Sequence, residues 1–257
     1  MAHDAKLRQA ALNEIRQNIA EHGFHTYCVV GGGSPRFAYT IGLSESHGAE
    51  LILPGTYFYR LDEVSKVIKS IVGELHPPVA WETQEIETPS WGNFTLRKVH
   101  MNWAKTLMLG VFDYYQVQTI HAYQIVPDET HWTNEIPDLS QTWSLELAPA
   151  WRWQYEEWIY PVPVDSMAIT NLDALRGKRI TEVMRWEEDE WEIFAGVGPD
   201  LPESERRVVP LGILLAADSS LLPAVDLPIE GGFLREAEGE SEWRPWGKSK
   251  AEQDSAE

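Results

Sequence analysis

The chain has 257 residues, 43% of them apolar, and carries 40 acidic against 21 basic side chains for a formal net charge of −19. That length and apolar content support a buried core and exclude wholesale disorder. The charge disfavours nucleic acid and membranes as partners and favours a basic protein. A single cysteine, Cys28, leaves no intrachain disulfide and no cysteine-rich zinc site, and its apolar setting, YCVV, predicts a buried, inert thiol.

In chain order, residues 4–22 read as an amphipathic helix with Leu7, Ala11, Ile15 and Ile19 on one face, Asp4 as cap and Gly23 as exit. HTYCVV, GGGSP and RFAYTIGL read as strand, turn and antiparallel return strand, with Phe37, Tyr39 and Ile41 sharing a face. AELILPG adds a strand. Residues 60–75 form the clearest helix, with Leu61, Val64, Val67, Ile68, Ile71, Val72 and Leu75 in one stripe ended by His76-Pro77-Pro78. Strands are expected at 94–101 and 119–126. Trp132, Trp143, Trp151, Trp153 and Trp158 crowd the next segment and predict packing against a partner element ahead of a ligand-stacking surface.

PVPVD at 161–165 is stiff and marks a joint. All eight histidines precede it, and the remainder is more acidic per residue. Beyond it, EDEWEIFAG reads as a hairpin-like strand and VVPLGILLAADSSLL as a helix or strand with a short following segment. DLPIEGGFLREAEGESEWRPW reads as a turn with a closing strand. The expected fold class is α+β: a mostly antiparallel sheet packed with helices over 1–160, and a smaller acidic α+β domain over 165–247. The tail 248–257, without an apolar face, is expected to be disordered. No leader pattern and no apolar run approaching about 18 residues is present, so the expected location is cytoplasmic. The oligomeric state is left open.

Catalytic motifs are sparse. The glycines of GGGSP lack a following Gly-Lys-Ser/Thr and lead into a strand, which favours a hairpin turn over a phosphate loop; Ser34 is not in a nucleophile elbow. If the segment after Gly42 is a loop, His47 and Glu50 project to solvent as an acid–base pair, the alternative being a hydrogen bond that pins a turn. Tyr39, Thr40, Trp103, Tyr114 and Tyr115 are candidate binding residues, with the aromatic rings as a pocket wall. No His-Glu-x-x-His motif exists, and no cofactor is expected; a divalent metal has His100 and His121 as its candidate ligands, since they fall on different expected strands that could meet.

GFHTYCVV, the glycine-rich turn, FAYTIGLSESHGAELILPG and FDYYQVQTIHAYQIVPDETHW together resemble the bacterial domain-of-unknown-function family 4262 (DUF4262) over roughly residues 12–140. The resemblance implies the fold and draws attention to Tyr39, Thr40, Gly42, His47 and Glu50, but implies no settled reaction. His-Gly-Ala-Glu stands where the family more usually has His-Pro-Glu, and Tyr-Tyr-Gln where Tyr-Tyr-Gly is common. EWEIFAG and the later DSSLLPAVDLP segment resemble small domains found beside bacterial immunity proteins, modules that neutralise toxins by binding. Two functions compete: a non-enzymatic binding factor of immunity or defence type that uses acidic surface to hold a basic partner, and a small-molecule or metal-assisted hydrolase using His47 and Glu50.

Overall fold

The computed structural model describes residues 2–196, 198, 201–236 and 242–247; the expected tail at 248–257 lies outside them. The fold is α+β, with two mixed six-stranded sheets and helices that run from one turn to 21 residues. The first sheet comprises β1 (His25–Val29), β2 (Phe37–Ile41), β3 (Glu50–Pro54), β4 (Glu85–Thr88), β5 (Gly92–Lys98) and β6 (Ala122–Pro127) in the order β1-β2-β3-β6-β5-β4. Only β3 and β6 pair in parallel; every other neighbour is antiparallel. The second contains β7 (Met167–Asn171), β8 (Glu182–Arg185), β9 (Glu190–Phe194), β10 (Arg206–Pro210), β11 (Gly231–Leu234) and β12 (Arg244–Gly247) in the order β10-β7-β9-β8-β11-β12. There β7 and β9 form the parallel pair.

Among the described residues, seven α-helices accompany the sheets: α1 (Ala2–His22), α2 (Leu43–His47), α3 (Leu61–Gly73), α4 (Met101–Leu107), α5 (Leu109–Tyr115), α6 (Leu172–Leu175) and α7 (Leu211–Ala217). Among the described residues, no helix is long and apolar enough to cross a membrane. Helix α1 starts at Ala2, ahead of the expected Asp4. Its buried positions are Leu12 and Ile15; Leu7 and Ala11 are exposed, so the apolar stripe is shorter than the spacing suggested.

The first sheet is covered on both faces, which is why every residue of β2, β3 and β6 is buried. One face carries Ala38, Leu51, Leu53 and Ile125 under the α3 stripe of Val64, Val67, Ile68 and Ile71. Each such aliphatic side chain contributes about 1.5–3 kcal/mol through removal from water. The other face carries Phe37, Tyr39, Ile41 and Ile52 beneath α4, α5 and Trp151.

That second cluster continues into the other sheet. Ala168, Val183, Trp191, Ile193 and Val209, together with Leu211, Ile213 and Leu214 of α7, belong to the same contiguous apolar core. The chain changes sheets at the 161–165 joint, yet the core does not stop there. The tryptophan-rich segment fills the seam: Trp151 is fully buried and donates its Nε1–H to the Glu135 carbonyl at 2.8 Å. Trp153 and Trp158 lie edge-on to each other against Gly33. At Gly212 an added Cβ would meet the Gly33 carbonyl oxygen at 2.5 Å, so the two parts touch backbone to backbone.

Cys28 departs from expectation. It sits on β1, an edge strand of its sheet, and is exposed. Desolvation still raises its thiol pKa, against the lowering effect of Arg36, which keeps it from being a ready thiolate.

Candidate functional site

The segment after Gly42 is not a loop. It is the single-turn helix α2, entered through Gly42 at φ 110°, a backbone conformation that favours glycine. The turn aims the first N–H groups of α2 at Glu50, which is fully buried on β3. Its Oε1 accepts from the Gly42 N–H (3.1 Å), the Ser44 N–H (2.9 Å) and the Tyr115 hydroxyl (3.0 Å). Its Oε2 accepts from Thr40 Oγ1 (2.6 Å) and the Leu43 N–H (3.3 Å). Five donors satisfy the carboxylate, so it serves as an internal cap that ties β2, β3, α2 and α5 together.

The sequence candidates therefore separate. Thr40, Glu50 and Tyr115 come together, and Tyr39 stands nearby, accepting from the Gly110 N–H at 3.1 Å, its pKa pushed up to about 12 chiefly by burial. Burial likewise raises the Tyr115 phenol, reinforced by the Glu50 charge. Trp103 is buried edge-on to Trp151, and Tyr114 packs edge-on to Tyr115. His47 is not paired with Glu50: its Nδ1 lies 2.7 Å from Ser46 Oγ. His100 is exposed and caps α4 through its side chain, whereas His121 lies just ahead of β6 and is exposed. Among the described residues, no three histidine, cysteine or acidic side chains group as metal ligands.

A separate concavity lies elsewhere. A cleft of about 510 Å³ opens between the two parts. Its walls come from the β1–β2 turn, the loop from β3 to α3, and strands β7 and β10. Tyr57 and Tyr59 line the side belonging to the first sheet; Met167, Ile169 and Val208 line the other. Four arginines reach it, Arg36, Arg60, Arg206 and Arg207, and one carboxylate, Glu203; no histidine, cysteine or serine is among its lining residues.

Two of those arginines, Arg207 and Arg60, also clasp the parts together. Arg207 Nε donates to the carbonyls of Tyr57 (2.7 Å) and Phe58 (3.0 Å), and its Nη1 to that of Ser204 (2.6 Å). Arg60 Nη2 donates to the Glu203 carbonyl at 3.0 Å. Arg36 is buried with its guanidinium 4.4 Å from the Tyr57 ring centre, and its Nη2 donates to the carbonyls of Thr56 (3.3 Å) and Tyr59 (2.5 Å). Desolvation lowers the pKa of Arg36, while Tyr57, Cys28, Glu135 and Glu63 oppose that effect.

Residues 18–132 match the family model described as Domain of unknown function (DUF4262). The first sheet carries the DUF4262 match. It runs from the last turn of α1 to just beyond β6, and so encloses the whole Thr40–Glu50–Tyr115 network. No curated protein and no solved structure matches the chain. Of the cleft, the DUF4262 segment contributes Arg36, Tyr57, Tyr59 and Arg60, while Arg206, Arg207 and Val208 come from beyond it. Sequence reasoning missed these residues. The signal available was an arginine directly before FAYTIGL and the Arg-Arg pair in ESERRVVP, both unusual in so acidic a chain.

Proposed function

We propose that the protein acts by binding, as a non-enzymatic factor of immunity or defence type, and that its acidic surface holds a basic protein partner. The supporting observation is the engagement of Glu50: a carboxylate that accepts five hydrogen bonds in a buried network has no lone pair to offer as a base. His47 faces Ser46 instead, so the acid–base pair that a hydrolase reading needs is not assembled. On the binding side, Glu187, Glu188, Asp189 and Glu190 are all exposed at the β8–β9 turn. Arg185 hydrogen-bonds the carbonyls of Glu187 and Glu188.

The test uses the full chain, immobilised, with a captured basic partner whose affinity is measured at low salt and at roughly 0.5 M salt, where charges more than a few ångströms apart are screened. A steep loss with salt, repeated by Glu187→Lys with Glu188→Lys at low salt, is the expected result. Salt-insensitive affinity would overturn the reading.

A further inference from the structure

We infer that the cleft between the two parts is a binding site for a small organic anion: an apolar body carrying a carboxylate, phosphate or sulfonate group. This goes beyond the acidic-surface reading and is independent of it, since the two use oppositely charged regions.

Charge is the first argument. The chain as a whole is strongly acidic, yet the cleft gathers four arginines against the single carboxylate of Glu203. A local excess of cations inside an acidic field concentrates anions where the low-dielectric walls focus it. Arg60 already engages Glu203, through its carbonyl and, at 3.8 Å, its carboxylate, which leaves the lining carboxylate committed.

Arg36 is the second. Its side chain is buried, with the residue 8% exposed, and its Nε has no hydrogen-bond partner. Among the described residues no carboxylate forms an ion pair with it. Two carboxylates act on it through space, Glu63 and the buried Glu135; Glu135 directs Oε1 to the Tyr57 N–H (2.9 Å) and Thr133 (2.7 Å), and its Oε2 makes no hydrogen bond among the described residues. A buried cation held by carbonyls and a ring face, with Glu135 and Glu63 acting on it only through space, has no ion-pair partner, and a ligand anion supplies one through a fork that suits planar oxyanions.

Apolar lining is the third. Val30, Leu61, Met167, Ile169 and Val208 present hydrocarbon to the same space, and Val30, Leu61 and Val208 are more than half exposed. The volume falls within the range of small-molecule sites. A bare inorganic ion would leave that surface wet; a neutral apolar molecule would leave Arg36 without an ion-pair partner. The combination selects a molecule with both features.

The probe is 8-anilinonaphthalene-1-sulfonate, compared with N-phenyl-1-naphthylamine, which has the same ring body without the sulfonate; both are read by fluorescence titration of the full chain. Binding of the sulfonate about 10-fold or more tighter than its neutral twin is expected. Val208→Glu, at an exposed cleft position, places a like charge in the mouth and is expected to weaken the sulfonate by a similar factor with an unchanged thermal midpoint. Arg36→Gln is expected to abolish the preference for the charged probe; should that variant not fold, Val208→Glu decides. Equal affinity for the two probes, or sulfonate binding indifferent to Val208→Glu, would overturn the inference. Neither result bears on partner capture by the acidic surface, which the salt titration measures separately.

Discussion

Thr40 donates its hydroxyl hydrogen to Glu50 across 2.6 Å, and the same oxygen accepts the Leu51 N–H at 2.9 Å. Neighbouring strands are thereby cross-linked through one side chain, and the carboxylate it meets closes the turn between them. The segment FAYTIGLSESHGAEL is thus a structural lock, with four of the five hydrogen bonds to Glu50 made within residues 40–50 and the fifth from Tyr115.

Glu50→Gln turns one acceptor into a donor that faces at least two existing donors. Leaving such buried groups unmatched is expected to lower stability by about 3 kcal/mol, read as a shift in the urea midpoint at unchanged slope. Tyr115→Phe removes one of the five bonds together with the Gly42 N–H bond to the phenol oxygen (3.0 Å), and is expected to cost about 1–2 kcal/mol. A Glu50→Gln protein as stable as the original would show the network to be dispensable.

Gly212→Ala tests the seam. The added Cβ would lie 2.5 Å from the Gly33 carbonyl oxygen and 2.7 Å from Trp153 Nε1, neither of which is a flexible chain end. Overpacking of this kind costs about 1–3 kcal/mol. A lowered thermal midpoint with quenched or shifted tryptophan fluorescence is the expected signature.

Because one apolar core spans both sheets, unfolding is expected to be a single transition. Far-ultraviolet circular dichroism and tryptophan fluorescence should give coincident melts of the full chain. Residues 1–160 expressed alone would uncover Phe37, Trp151 and their neighbours, and aggregation or dye binding should follow. Two resolved melts would contradict the shared core.

Glu135 introduces a pH dependence. Burial raises its pKa above the ordinary carboxylate value, against the bonds from Tyr57 and Thr133 and the charge of Arg36. A carboxyl group raised on folding contributes stability that is complete below its unfolded pKa and lost as pH rises through the folded one. From this source stability falls as pH climbs above the ordinary glutamate value. Urea midpoints across a pH series should show a shallower alkaline-side decline in Glu135→Gln than in the parent.

The long α3 stripe, the β1–β2 hairpin and the alternation along FAYTIGL were legible in the sequence, because periodicity of 3.6 or 2 reports local geometry directly. The one-turn helix α2 and the short helices α4 and α5 were not, since elements of five to seven residues hold too few turns for a period to stand out. The stripe on α1 is shorter than its spacing suggests because Leu7 stays more than half exposed, a fact of packing that no spacing reveals.

By itself the amino-acid order determined the class of fold and the acidity of the whole. Tertiary structure alone decided which charges matter. It buried Glu50 among five donors, and it brought Arg36 and Arg207, far apart along the chain, into the lining of one cleft. The physical reason is that propensity and hydropathy act over a few residues, whereas desolvation and ion pairing depend on distances through space that only the packing of both sheets sets.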